Sequence, residues 1–311
     1  MNILLTGASS FTGFWFARTL AERGHKVFAT FQGTAESYSG MRKRRIDELP
    51  PQVQRLWETS AQSERLLRLL REQPQWDILC LHGAFVTGYR DPGFDVALAL
   101  KDNTDGLGPL LKELASRGLR RILTTGSVFE ADEGAGEEPL RAFSPYGLSK
   151  GLTWQVQKYW AQVLGLHLGK FVIPNPFGPL EEPRFTAYLM KTWYAGKVAE
   201  VRTPLYIRDN IFVSCLAHHY ANFAENLIAS SGLSRCAPMG FVEAQGAFTL
   251  RFAAEMRRRL GLDCAVTQGQ QSDFSEPLMR VNTQSLILPS ESWQESAAWD
   301  ELAAYYKSEY A

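Results

Sequence analysis

The chain carries no net charge: its 33 lysines and arginines match its 33 aspartates and glutamates. A global electrostatic footprint for nucleic acid or an anionic membrane is therefore missing, and neither is expected as a partner. Cysteine is scarce. Cys80, Cys215, Cys236 and Cys264 lie far apart and form no CxxC pair, which argues against a disulfide framework or zinc site and for reduced thiols. His218 and His219 have no carboxylate partner at ligand spacing, so no metal is expected. No apolar run approaches the roughly 20 residues needed to span a bilayer. The start of the chain has no basic stretch or cleavage site, and "NILLT" is too short for a signal core. Repeats and low-complexity tracts are absent too. The expectation is a soluble, cytoplasmic protein.

What is present is ordinary in bulk and patterned in detail. The 311 residues are 45% apolar and 21% charged, with room for one large α/β unit and an appendage. Residues 2–6 read as a buried strand followed by glycine. Residues 11–23 carry Phe11, Phe14, Trp15, Ala17, Leu20 and Ala21 at helical spacing, stopped by Gly24. Further strands are expected in "HKVFATF", "WDILCLHGA", "LRRILTTGSVFE" and "LHLGKFVIPNPFGP". Helices are expected in "SERLLRLLREQ", in "FDVALALKDNTDGLGPLLKELASRG" as one piece, and in "SPYGLSKGLTWQVQKYWAQVLG". The polar, basic stretch "QGTAESYSGMRKRR" reads as a loop. This alternation predicts an α/β fold, a doubly wound parallel sheet with helices on both faces. After Pro174 prolines, glycines and aromatics rise and segments shorten. "AFTLRFAAEMRRRLG" and "WQESAAWDELAAYYKSEY" still read as helices.

Three local features carry chemistry. Gly7-Ala8-Ser9-Ser10-Phe11-Thr12-Gly13 lies between an expected strand and an expected helix. Glycine permits the tight turn there, and the helix N-terminus offers free amides and a positive dipole end to a pyrophosphate. Ser10 stands where a third glycine would be usual; its amide is retained and a hydroxyl is added. Tyr146 and Lys150 form a Tyr-x-x-x-Lys pair, which shares one helix face. A cation near the phenol favours the phenolate and lowers the tyrosine pKa from about 10, which would suit proton exchange with an alcohol or ketone. Thr125, at the end of a predicted strand, could hydrogen-bond the same substrate oxygen.

At these residues the chain resembles the extended short-chain dehydrogenase/reductase family, the NAD(P)-dependent epimerase/dehydratase group. "TGASSFTG" resembles that family's TGxxGFxG loop. "WDILCLHGA" is similar to its DxVxHxAA strand through Asp77, His82 and Ala84. "DNTDG" resembles NxxGT, with Asn103 as the asparagine. "TTGSVFE" resembles SSxxVYG, and "SPYGLSK" the Tyr/Lys motif. "IPNPFGP" is similar to the turn whose asparagine, here Asn175, contacts a nucleotide-sugar diphosphate. "YIRDNIFVSCLA" resembles RDxxxVxDxA, whose arginine, here Arg208, can clamp phosphate. The resemblance implies a Rossmann-type dinucleotide-binding domain over 1–174, joined by a segment near 205–230. A smaller, partly interleaved substrate-binding domain would span 175–311. It implies an NAD(P) site at Gly7, Ser9, Ser10, Phe11, Thr12, Gly13, His82, Gly83, Ala84, Asn103, Tyr146, Lys150 and Pro174. Tyr146 would move the hydroxyl proton, Lys150 would tune Tyr146 and hold the nicotinamide ribose, and Thr125 would orient the substrate. The substrate would be a nucleotide sugar contacted by Thr125, Asn175 and Arg208. His82 is expected to be structural or to line the cofactor. Trp154, Tyr159, Trp160 and Val163 crowd the helix that carries Tyr146 and suggest the homodimer face common in the family.

The departures are informative. The acid that bonds a ribose 2′-OH at the end of the second strand is replaced by Phe31, and Arg42-Lys43-Arg44-Arg45 follows. The balance tips slightly to NADP, unless that run is a solvated loop. The Asp-Glu that 4,6-dehydratases of the family place after the threonine is Gly126-Ser127 here, which favours a 4-ketoreductase or epimerase over a dehydratase. Cys215 replaces an expected acid, and no GDG precedes Arg208. The alternatives are an NADPH-dependent reductase of a lipophilic ketone or aldehyde and a non-enzymatic cofactor-sensing scaffold.

Overall fold

Strand and helix alternate through the first two thirds of the chain. The computed structural model describes residues 1–61, 63–73, 75–229 and 232–311. In chain order the elements begin with β1 (Asn2–Thr6), α1 (Phe11–Glu22), β2 (Lys26–Thr30), α2 (Gly40–Glu48), β3 (Gln54–Leu56) and α3 (Glu64–Glu72). They continue with β4 (Ile78–Leu81), α4 (Val96–Thr104), α5 (Leu107–Ser116), β5 (Arg121–Ser127), β6 (Ala135–Gly136), α6 (Pro145–Val163) and β7 (His167–Ile173). The remainder comprises β8 (Asn175–Phe177), α7 (Phe185–Tyr194), β9 (Ala199–Val201), β10 (Ile207–Phe212), α8 (Val213–Asn226), β11 (Leu233–Cys236) and β12 (Phe241–Ala244). It closes with α9 (Gln245–Leu260), β13 (Val266–Gln268), β14 (Met279–Val281) and α10 (Glu295–Tyr310).

Seven strands form one parallel sheet in the order β11-β7-β5-β4-β1-β2-β3. Both faces are covered, which is why β1 reads as a continuous apolar run rather than an alternating one. Ile3 and Leu5 join the core layer of α1 and α8, while Leu4 joins the layer of α3, α5 and α6. Strand order reverses between β1 and β4. In open parallel sheets that switch point opens the crevice where ligands bind. A second sheet, β12-β10-β14-β6 with β8 on β10, collects strands lying between residues 135 and 281. It packs with α7, α9 and α10 around Phe177, Phe212, Phe252 and Trp299. The chain then returns: α8 covers α1, and β11 supplies the far edge of the large sheet.

The basic end of the stretch read as a loop, from Gly40 to Arg45, belongs to helix α2, which follows Ser39. The helix buries only Arg45 and Ile46, so no apolar stripe announced it. The single helix expected over residues 94–118 is two, α4 and α5. They break at Gly106, whose φ of 71° is left-handed. Phe31, at the end of β2, is buried against Trp57 and Tyr38. Among the described residues no helix is long and apolar enough to cross a membrane, and no three metal-ligating side chains converge.

Candidate active site

The loops after β1, β4 and β5 meet at the switch point. Gly7 has φ +78°, and a Cβ on it would stand 2.8 Å from the Gly83 backbone, so the first and fourth strand ends touch here. A Cβ on Gly13 would collide with the Gly7 carbonyl oxygen. Both positions need glycine for close approach. Ser10 is the N-cap of α1. Its hydroxyl accepts from the Gly13 amide (3.2 Å) and donates to the Gly7 carbonyl (2.8 Å). The Phe11 and Thr12 amides at the head of α1 have no hydrogen-bond partner among the described residues. This glycine-lined turn with open helix amides fits the pyrophosphate of a dinucleotide.

His82 ties the loop to the catalytic strand. Its Nε2 lies 3.0 Å from Ser10 Oγ and 3.1 Å from Thr12 Oγ1, and its Nδ1 lies 3.0 Å from Thr125 Oγ1. Because the Ser10 hydroxyl proton goes to Gly7, the Ser10 contact calls for a proton on Nε2. Nδ1 then accepts from Thr125, whose oxygen remains an acceptor for a substrate hydroxyl. Burial, with the Lys150 charge adding, pushes the His82 imidazole down to about 3, so it is neutral. Below it, the Thr6 hydroxyl accepts from the His82 and Gly83 amides (3.0 and 2.8 Å). His82 thus braces the loop from beneath. Asn103 is another brace. Its Oδ1 accepts from the Phe85 amide (2.7 Å) and its Nδ2 donates to Thr153 (3.2 Å), joining the loop after β4 to α6.

Helix α6 starts at the Ser144 cap and Pro145 and carries both Tyr146 and Lys150. Lys150 is buried and its ammonium donates to the Thr125 carbonyl (2.7 Å). Burial lowers its pKa, with Glu130 opposing. The expected lowering of Tyr146 does not occur in this structure. Burial pushes the phenol up, Glu130 and Tyr89 add to the rise, and only Arg184 opposes it. The physical reason is that desolvation of the buried phenol dominates, while the Lys150 ammonium points to the Thr125 carbonyl. Tyr89 and Phe94 flank the Tyr146 ring at 5.6 and 6.1 Å.

The sequence reading missed a buried charge cluster next to this pair. Glu130 stands where the SSxxVYG pattern ends in glycine. Its Oε1 accepts from the Ser127 amide (2.8 Å) and its Oε2 pairs with Lys170 (2.6 Å). Lys170 also pairs with Glu133 (2.7 Å), which Arg235 holds from outside (2.6 Å). A Cβ on Gly126 would lie 2.5 Å from Lys170 Cε and 3.0 Å from Glu130 Oε1. The Lys170–Glu130 pair therefore fills the space that a side chain at 126 would enter.

The second-sheet residues divide. Pro174 is buried at the junction of β7 and β8. The Asn175 side-chain amide makes no hydrogen bond among the described residues and is partly exposed. Arg208 is already engaged. It pairs with Glu276 (2.8 Å) and donates to the carbonyls of Ile207, Pro277 and Leu278, so the free phosphate clamp expected there is closed in this structure. The basic run is likewise spoken for. Lys43 pairs with Asp47, and Arg44 with Glu48 and Glu309. Arg45 is fully buried, bonding the Leu180 and Ser9 carbonyls and Glu182. Only Arg42 of the four remains outside such pairs, and the tilt toward NADP loses its basis.

Comparison with known proteins agrees with this geometry. Residues 3–227 match the model of the NAD dependent epimerase/dehydratase family. The chain belongs to that family and is an NAD-dependent enzyme of the short-chain dehydrogenase type. No curated protein matches it in sequence at a significant level. Solved structures of the same fold include UDP-glucuronic acid 4-epimerase from Bacillus cereus with UDP-glucuronic acid and NAD (18% identity, all of both chains, TM-score 0.73). UDP-N-acetylglucosamine 4-epimerase from Methanobrevibacter ruminantium M1 is similar too (15% identity, 99% of this chain and 98% of that one, TM-score 0.74). So is a dTDP-glucose 4,6-dehydratase from Streptomyces venezuelae (15% identity, 99% and 97%, TM-score 0.71).

Proposed function

We propose that this chain is an NAD-dependent epimerase of a nucleotide-linked sugar. Net 4-ketoreduction is the other outcome open to the same site. The observation that carries the reading is the convergence of three parts at the switch point. Tyr146 and Lys150 lie on α6, Lys150 reaches the Thr125 carbonyl, and the Ser10–His82–Thr125 chain of hydrogen bonds runs back to the glycine loop. When bound, the nicotinamide supplies the hydride chemistry. The chain supplies position and proton transfer. Tyr146, kept protonated by burial, donates to a keto oxygen and recovers the proton in the reverse step. Thr125 holds the neighbouring hydroxyl, and Asn175 offers an open amide to the nucleotide side.

Two finer choices belong to this proposal. NAD is preferred to NADP because three of the four cations near the second strand are engaged in the protein itself. Dehydration is disfavoured because position 126 has no room for a carboxylate and Glu130 is held by Lys170. A homodimer through α6 is part of the same reading, since Leu148, Leu152, Tyr159 and Val163 are exposed along it, and so is a cytoplasmic location.

One observation favours a second reading. Phe85, Tyr89 and Phe94 make an aromatic cover over Tyr146, which would suit a lipophilic ketone. Thermal shift separates the two, because saturating ligand raises apparent stability by mass action. UDP or dTDP should stabilise the NAD-loaded protein, and no response to either favours the lipophilic ketone.

A further inference from the structure

Arg184 stands over Tyr89 beside the candidate site, and no carboxylate is ion-paired to it. It is the N-cap residue of α7, contributed after β8, and it is partly buried. Its guanidinium lies 5.9 Å from the centre of the Tyr89 ring, which itself lies 5.6 Å from the Tyr146 ring. Among the described residues no carboxylate comes within 4.0 Å of it, and it makes no hydrogen bond. The other cations of this region are committed, Arg45 to Glu182 and Arg208 to Glu276. Arg90, which is exposed, donates to the Tyr89 hydroxyl (2.9 Å). The acids near Arg184, Glu181 and Glu182, feel its charge but make no ion pair with it. Glu182 is held by Arg45 at 2.6 Å. Glu181 is buried, accepts from the Thr186 hydroxyl (2.9 Å), and is pushed up to about 7 by that burial.

This partly buried guanidinium has the Tyr89 ring against it but no hydrogen-bonded anion, and an anion placed there gains more than it would in open water. The flat fork of arginine matches carboxylate and phosphate oxygens in pairs. We propose that Arg184 binds an anionic oxygen group of the substrate: a carboxylate on the reacting sugar, or the diphosphate joining that sugar to its nucleoside. This rests on the nucleotide-sugar reading above and narrows it. Arg184 is a specificity residue in this account. It enters from the second half of the chain and faces a ring of the catalytic side.

The test is calorimetric titration of the NAD-loaded protein with UDP, UDP-glucose and UDP-glucuronic acid, for the natural chain, Arg184→Gln and Arg184→Lys. Losing a charged hydrogen-bond partner predicts that Arg184→Gln weakens the affected ligand about tenfold or more. Arg184→Lys should recover part of that loss, since the charge remains. A loss confined to UDP-glucuronic acid places the ring carboxylate on Arg184. An equal loss across all three, UDP included, places the diphosphate there. Unchanged affinities for all three ligands in Arg184→Gln overturn the proposal. A natural chain that binds none of them overturns the nucleotide-sugar reading beneath it. Within the protein the side chain makes a cation–π contact with Tyr89 but no hydrogen bond or ion pair, so both variants should melt within a few °C of the natural chain.

Discussion

Restoring the glycine that the loop lacks should weaken this protein. In Ser10→Gly the hydroxyl loses its bond to the Gly7 carbonyl at 2.8 Å and the contact with His82 Nε2 at 3.0 Å. It also stops capping the Gly13 amide. The cap itself matters little in this exchange, a few tenths of a kcal/mol, because glycine is a fair N-cap. The bond to Gly7 contributes about 1 kcal/mol net. The His82 proton is not stranded, since Thr12 Oγ1 stands 3.1 Å away. Ser10 holds φ −78°, ψ 165°, an ordinary extended conformation, so glycine adds freedom to the unfolded chain worth about 0.4–1 kcal/mol. The sum is a destabilisation of about 2 kcal/mol, or a fall in melting temperature of about 4 °C for a chain of this size. Urea unfolding with an unchanged slope would show it as a lower midpoint. A Ser10→Gly variant as stable as the natural chain would refute the bracing role and leave Ser10 a merely tolerated small residue.

Two further outcomes follow from the buried groups. His82 has a folded pKa near 3 against about 6.5 unfolded. Its contribution to stability is therefore complete above pH 6.5 and is lost as the pH falls from there toward 3. Comparison with His82→Gln cancels the other titrating groups. The stability of the natural chain should drop relative to the variant by up to about 1.4 kcal/mol per pH unit below 6.5, and parallel curves would exclude a neutral buried imidazole. Lys170→Met should cost about 3–5 kcal/mol by leaving Glu130 and Glu133 short of their shared cation, measured by urea unfolding. Adding Glu130→Gln should recover part of the loss, and a cost under 1 kcal/mol would show that water reaches the cluster.

The legible parts were those whose signal is local. The Gly7–Gly13 turn, the Tyr146/Lys150 pair and the apolar β1 run each sit within a few residues of one another, and each lies where its spacing placed it. Helix α2 was not legible, because its buried side is one arginine and one isoleucine, and Arg45 earns burial only from the Leu180 and Ser9 carbonyls far along the chain. The closure of Arg208 was hidden for the same reason: its partner Glu276 is 68 residues away. The rise in Tyr146 could not be read from helix spacing, because it depends on burial of the phenol and on Glu130 and Tyr89 from other segments. One signal was on view and passed over. The "VFE" that ends β5's motif carries glutamate where the family pattern has glycine, and that residue is the buried Glu130.

The central claim is that Tyr146 transfers the proton in C4 epimerisation of a nucleotide sugar. The most direct measurement follows UDP-glucuronic acid, UDP-glucose and UDP-N-acetylglucosamine by NMR in the presence of NAD, with the natural chain and with Tyr146→Phe. The account predicts that the natural chain interconverts the C4 epimers of at least one of them with no net gain of NADH. Tyr146→Phe should still bind NAD but turn over at least about 100-fold more slowly, the share expected of positioned acid/base catalysis. Equal turnover by Tyr146→Phe, or loss of water from the sugar in place of epimerisation, would contradict it.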